Sequence, residues 1–193
     1  HSFPTRRSSD LQLLVANGAD LTRLAPFAAL PVNRVRGQVS HVEAPDLAPL
    51  RTVICHKGYL TPAWQGLHCI GATFDRTAET AQLLDTDDTQ NIAELRQQLQ
   101  APDWSQHLTV DSAKAAFRAT VPDHLPLCGR YHPENTGEPA PLWLNVGLGA
   151  RGLLFAPLQA EILAAQISGE PIPSGQTGLQ LLSPARFTRK TAT

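Results

Sequence analysis

The sequence contains no methionine, only three cysteines, few aromatic residues and almost no net charge. The cysteines are odd in number and show no CxxC spacing, so we expect free thiols in a reducing, cytoplasmic environment rather than a disulfide framework. A formal charge of -1 gives no general attraction to nucleic acid or to a membrane, although it leaves room for a local basic patch. No apolar run approaches the roughly 20 residues that a membrane helix needs.

Metal-ligand spacing is also absent. Four histidines, His41, His56, His68 and His124, are interspersed with the cysteines but match no common zinc pattern. We therefore expect packing or surface roles for them and no bound metal.

Residues 1–11 lack both helical and strand periodicity. They resemble a translated sequencing-adapter oligonucleotide, so we interpret them as non-native and exclude them from the fold prediction. Native sequence is expected to begin near Gln12, inside a longer protein.

The first half of the remaining chain predicts strands followed by one helix. The run from Leu13 to Gly18 predicts a buried strand ended by a turn, because it is short, apolar and closed by Asn-Gly. Residues 34–42 and 52–60 alternate in the strand manner, and 67–73 is expected to complete a hairpin with 52–60. Residues 87–100 predict an amphipathic helix capped by Thr86 or Asp87.

The second half predicts a strand, a glycine-rich turn and an apolar helix. A short strand over 117–120 precedes a polar loop over 132–141. A buried strand over 142–146 leads into the turn, and a helix over about 153–167 is stopped by Gly169 and Pro171. We expect an irregular tail after Ser183.

This order predicts an α/β (α+β) fold. An antiparallel substrate domain over 31–141 is expected to lie between two parts of a Rossmann-like domain, 12–30 and the strand-turn-helix of 142–173, with a tail over 174–193. The rest of that Rossmann-like domain is expected to lie outside this sequence.

Gly147-Leu148-Gly149-Ala150-Arg151-Gly152 is the strongest local feature. Glycines allow close approach of a ligand to the backbone, and a helix N-terminus carries unpaired N–H groups with partial positive charge. The turn suits a phosphate or a delocalised anion such as the edge of a reduced flavin, but it also suits a tight turn that merely needs small residues. Arg118 on a strand can bind a carboxylate or lie at the surface, and Tyr59 can hydrogen-bond a substrate or simply pack.

Taken in order, several stretches resemble the D-amino-acid-oxidase-like flavoprotein family, which includes glycine oxidase and sarcosine oxidase. They are Ala16-Asn17-Gly18, Tyr59-Leu60-Thr61-Pro62 leading to Gly71-Ala72-Thr73, Arg118 followed by Pro122-Asp123 and by Pro126 and Gly129, and the glycine-rich turn. Residues 36–41, 58–62, 68–72, 123–126 and 156–173 are most similar to the branch that modifies the wobble uridine of tRNA. The likeness covers nearly all of 12–190.

The resemblance implies an FAD-dependent oxidoreductase that acts on a CH–NH bond. In that branch, oxidation of the carboxymethyl carbon of 5-carboxymethylaminomethyl-(2-thio)uridine in tRNA, followed by hydrolysis, gives 5-aminomethyl-uridine and glyoxylate. Arg118 matches the family arginine for the substrate carboxylate, and Tyr59 matches a tyrosine near it. The implied FAD-binding residues are Gly147, Leu148, Gly149, Ala150, Arg151, Gly152, Leu153, Ala16 and Gly18.

The implied partners are tRNA, an N-terminal FAD-binding half and, in the parent protein, an S-adenosylmethionine-dependent methyltransferase domain. Arg151 can add positive charge at the flavin or face solvent, and Arg186, Arg189 and Lys190 can contact tRNA phosphates or form a solvated tail. Two other hypotheses compete: an oxidase of free glycine or sarcosine, and an inactive fragment that binds FAD weakly or not at all.

Overall fold

The fold combines two β-sheets with three α-helices, and the computed structural model describes residues 11–99, 107–133 and 142–187. The elements are, in chain order, β1 (Leu13–Val15), β2 (Asn33–Glu43), β3 (Ile54–Cys55), β4 (Tyr59–Leu60), β5 (His68–Ile70), α1 (Asp85–Leu99), β6 (Thr109–Thr120), β7 (Leu127–Arg130), β8 (Leu142–Val146), α2 (Gly152–Ser168) and α3 (Gln176–Leu182).

The chain divides into two compact units. The terminal unit combines the chain up to Arg34 with the chain from Arg118 onward, and the central unit is Val35–Phe117. The predicted substrate domain of 31–141 is longer than the central unit, because β7 pairs with β8 in the terminal unit.

The terminal unit is built on a three-stranded sheet in the order β1-β8-β7. β1 runs parallel to β8, whereas β7 runs antiparallel to it. Helix α2 covers this sheet through Ile162 and Leu163, which pack with Cys128 and Trp143. Full burial of one such aliphatic side chain contributes about 1.5–3 kcal/mol, so this contact holds the second half of α2 against the strands. Gly169 ends α2 in the left-handed conformation, as the sequence predicts.

The central unit contains the five-stranded sheet in the order β3-β4-β5-β2-β6. Helix α1 packs on it through the fully buried Leu95, which joins a core with Val42, Leu60 and Ile70. Three aspartates in the first turn of α1 suit the positive end of the helix dipole.

The structure corrects three of the expected elements. β1 is not buried, since Leu13 and Leu14 are 60% and 46% exposed. Residues 52–60 are not one strand but two, because the chain reverses at His56, whose N–H donates to the carbonyl of Gly58 at 3.0 Å. The third error concerns the cap of α1: the helix already begins at Asp85, so Thr86 and Asp87 lie inside it.

Two elements are absent from the sequence prediction. β7 was not expected, and α3 lies in the segment assigned to the tail. Both are short, and neither shows enough apolar periodicity to separate it from a loop. Most of the predicted polar loop of 132–141, like the segment of 1–10, lies outside the described residues.

Candidate functional site

The candidate flavin site lies at one edge of the sheet in the terminal unit. Val15 pairs with Leu144 in a parallel register, so the chain leaves β1 and β8 at the same edge. Residues 16–18 follow β1 and residues 147–153 follow β8, so the two predicted parts of the site leave the sheet together. The carboxyl ends of parallel strands are where open α/β sheets bind their ligands.

The glycine-rich turn has a backbone that requires glycine. Gly147 and Gly149 have φ values of 75° and 59°, in the left-handed region. A Cβ atom at Gly147 would lie 3.2 Å from Cγ1 of the buried Val121, so space is also tight. A short 3-10 turn over Gly149–Arg151 then leads into α2, whose first turn has no side-chain cap. The N–H of Arg151 donates to the carbonyl of Leu148 at 3.4 Å, and no side chain caps the N–H groups at the start of α2.

A largely apolar cleft of about 660 Å³ opens at this turn, and it is lined by Leu148, Ala150, Arg151, Gly152, Leu153, Leu154 and Ala156. Leu153 is 97% exposed and Leu154 is 72% exposed. Such a surface can exclude water from a flat apolar ring, while the helix start stabilises negative charge at the ring edge.

The side chain of Arg151 contacts a neighbouring turn. Its guanidinium donates a hydrogen bond to the carbonyl oxygen of His124 at 3.3 Å and lies 5.1 Å from the ring centre of Phe155. The side chain is exposed. In the structure Arg151 is therefore exposed and holds the backbone of another turn, and its role at a flavin stays a prediction.

The two predicted substrate residues belong to different units. Arg118 lies near the end of β6 and is half-buried in the terminal unit. Tyr59 lies on β4 in the central unit, where its hydroxyl accepts a hydrogen bond from the Cys69 thiol at 3.9 Å. Burial raises the pKa of Cys69 and outweighs the opposing effect of this hydrogen bond. Cys69 is therefore a neutral donor at physiological pH.

The cysteines are free thiols. Burial raises the pKa of Cys128 to about 12, which keeps this thiol protonated in the core of the terminal unit. Across the described ranges, no group of three or more His, Cys, Asp or Glu side chains converges on a metal-binding position. In the same part of the chain, no helix is long and apolar enough to cross a membrane.

A buried polar network in the central unit was missed from the sequence. Arg36, only 1% exposed, donates to the carboxylate of Asp87, to the carbonyl of Gln82 and to the side chain of Gln38. Gln38 in turn donates to the carbonyl of Leu84 at 2.9 Å. These bonds tie the start of α1 to β2. The sequence signal that could have indicated this network is the occurrence of Arg36, Gln38 and Ser40 at alternate positions of the predicted strand.

The family model described as DAO, FAD dependent oxidoreductase, matches residues 5–166. The chain belongs to this family of flavoproteins. The family and fold class inferred from the sequence are thereby confirmed.

Two curated relatives carry the same name, tRNA 5-methylaminomethyl-2-thiouridine biosynthesis bifunctional protein MnmC. The protein of Shewanella oneidensis is 36% identical over 206 residues, and that of Aeromonas salmonicida is 39% identical over 196 residues. In both cases the match covers 91% of this chain and 30% of the relative. The chain thus spans less than a third of the length of these relatives.

Solved structures confirm the fold. Glycine oxidase from Geobacillus kaustophilus superposes with a TM-score of 0.75 at 23% identity, covering 91% of this chain and 45% of that chain. Iminodiacetate oxidase from Chelativorans sp. BNC1 gives a TM-score of 0.71 at 22% identity, covering 90% of this chain and 46% of that chain.

Proposed function

We propose that this chain supplies the flavin-ring side and the substrate unit of an FAD-dependent oxidoreductase that acts on tRNA. The proposed reaction removes the carboxymethyl group from 5-carboxymethylaminomethyl-(2-thio)uridine at the wobble position and releases glyoxylate. The observation that carries the proposal is the uncapped start of α2 beside an apolar cleft, at the carboxyl edge of a parallel strand pair, in a chain of the DAO family.

The residues present fit one end of FAD. The left-handed glycines at 147 and 149 leave no side chain between backbone and ligand, and the cleft walls are apolar. In the proposed site, residues 147–153 bind the flavin ring, and Ala16 and Gly18 lie beside it. When bound, FAD supplies the two-electron oxidation, and the protein supplies orientation and electrostatics. The N–H groups at the start of α2 stabilise negative charge on the reduced ring.

Arg118 is proposed to bind the substrate carboxylate through two parallel hydrogen bonds, because a guanidinium matches that geometry. Tyr59 is proposed to hydrogen-bond the substrate. The carboxymethyl group is the feature that distinguishes this nucleoside from an unmodified uridine, so a cation for its carboxylate sets substrate choice.

Two partners complete the proposal. A further FAD-binding half is proposed to hold the pyrophosphate, and it has a free place on the sheet, since within the described ranges β1 pairs only with β8. An S-adenosylmethionine-dependent methyltransferase domain is proposed for the parent protein, because the matched relatives are named as bifunctional.

The test compares substrates and variants. The chain, joined to its FAD-binding half, is incubated with tRNA that carries 5-carboxymethylaminomethyl-(2-thio)uridine, with glycine or with sarcosine. The glyoxylate that each reaction releases is then measured. We expect glyoxylate from the tRNA only, its loss in Arg118→Met, and its retention in the control Arg23→Gln, an exposed arginine paired with Asp20. Glyoxylate from the free amino acids but not from tRNA would overturn the tRNA assignment.

The likeness to glycine oxidase keeps the free amino-acid oxidase as a second candidate function, and the same assay decides between them. For the 193-residue chain alone, we expect weak FAD binding or none. Yellow protein with stoichiometric flavin after gel filtration would contradict that expectation.

A further inference from the structure

Three segments that are distant in sequence meet at one turn of the terminal unit. The turn is formed by residues 121–126, and we call it the Asp123 turn. It follows β6, it contacts the residue that precedes α2, and it receives the side chain of Arg186 from the C-terminal segment.

The Asp123 turn is closed by its own hydrogen bonds. The N–H of His124 donates to the carbonyl of Val121 at 3.0 Å, and the N–H of Leu125 donates to Oδ1 of Asp123 at 3.1 Å. His124 has a φ of 58°, in the left-handed region that costs a non-glycine residue about 1–2 kcal/mol. A turn of this kind needs external contacts to hold it.

Arg186 supplies those contacts. Its Nε donates to Oδ2 of Asp123 at 2.7 Å, and its Nη2 donates both to Oδ1 of Asp123 at 3.2 Å and to the carbonyl of Leu125 at 2.6 Å. Nη1 donates to the carbonyls of Leu182 and Ser183, each at 3.1 Å. The side chain is only 13% exposed, so Arg186 is neither a solvated tail residue nor available to a phosphate. Arg189 and Lys190 lie outside the described residues.

The same turn touches the glycine-rich turn. The carbonyl of His124 accepts from Arg151, and the next carbonyl, that of Leu125, accepts from Arg186. Val121, 1% exposed, fills the space beside Gly147. A shift of the Asp123 turn therefore moves the residues against which the glycine-rich turn is packed.

We propose that Arg186 is a positioning residue for the glycine-rich turn. It acts through the Asp123 turn and couples the C-terminal segment to the backbone at 147–152. The consequence for flavin affinity rests on the function proposed above, whereas the coupling itself does not.

Hydrogen exchange of the 193-residue chain without flavin tests the coupling. In Arg186→Gln, we expect the hydrogen-bonded amides of 147–152, such as that of Arg151, which donates to the carbonyl of Leu148, to exchange about tenfold faster, because charge-assisted bonds that hold the Asp123 turn closed are lost. Arg186→Lys should restore part of the protection, since lysine keeps the positive charge but lacks the planar guanidinium that donates several hydrogen bonds at once. The matched control is Arg23→Gln, which removes an exposed arginine in the same unit and should leave 147–152 unchanged.

Faster exchange confined to 176–187, or an equal rise at 142–146, would overturn the proposal, since it would mean local loosening of the tail or general destabilisation. Titration of FAD by fluorescence quenching separates the two proposals. A weaker affinity in Arg186→Gln supports both. Faster exchange at 147–152 with FAD affinity unchanged supports the coupling and counts against the flavin role of the turn. If no variant binds FAD, the exchange result alone decides.

Discussion

Replacing Gly71 with alanine is expected to destabilise the central unit by about 2–5 kcal/mol. The φ of 78° at Gly71 costs an alanine about 1–2 kcal/mol. The new Cβ would also lie 2.2 Å from Cγ and Oδ1 of Asn91. Asn91 is 2% exposed and donates to the carbonyl of Gln38 at 3.1 Å and to Oγ of Ser40 at 3.0 Å. Displacing it adds about 1–3 kcal/mol of unmet hydrogen bonding.

Urea unfolding followed by circular dichroism measures the effect. Gly66→Ala is the matched control: its φ is 86°, but no atom lies within 4 Å of the added Cβ, so only the backbone cost of about 1–2 kcal/mol applies. In an Asn91→Ala background the loss should shrink without vanishing, because Cβ of Asn91 still lies 2.7 Å away. Equal losses at Gly71 and Gly66 would refute the reasoning, since steric conflict with Asn91 would then contribute nothing.

Three more predictions concern charge and thiol chemistry. Arg36→Met removes the buried cation that pairs with the half-buried Asp87, so it should cost about 3–5 kcal/mol by urea unfolding, against less than about 1 kcal/mol for Arg23→Met at an exposed pair. The hydrogen bond that Arg186 donates to Asp123 lowers the pKa of the Asp123 carboxyl. The ionised Asp123 should stabilise the fold fully above its unfolded pKa of about 3.9, and this effect should be lost as pH falls through its folded pKa. The thermal midpoint of the unchanged chain should therefore fall more steeply from about pH 6 to about pH 2 than that of Asp123→Asn. Iodoacetamide at pH 8 should label the exposed Cys55 but spare Cys128, whose pKa is about 12; mass spectrometry showing equal labelling would contradict this.

The sequence predicts the part of the fold that depends on local pattern. β8 and α2 were placed to within a residue, because a short apolar strand, glycines and a long apolar helix are strong neighbouring signals. The sequence also predicts a strand before each of the two glycine-containing segments, but the parallel pairing that brings these segments to one edge of the sheet is known only from the structure.

The rest depends on contacts between residues distant in sequence. Nothing near Asp123 indicates that Arg186 holds it, and β7 is a strand only because β8 lies beside it. The roles of Arg118 and Tyr59 stay predictions, since they concern a substrate rather than the chain's own packing.

The pairing of β1 with β8 has a consequence for folding. Leu13 pairs with Leu142, so β1 cannot join this sheet until the chain has been synthesised through β8. Closing a loop of that size costs about (3/2)RT ln n in entropy, and contacts of such long range slow folding. The strands of the central unit pair mostly over short separations, so we expect this unit to fold first during synthesis and to shorten the remaining search. Strand β1 is thus synthesised before the central unit but is expected to pair with β8 only after that unit has folded.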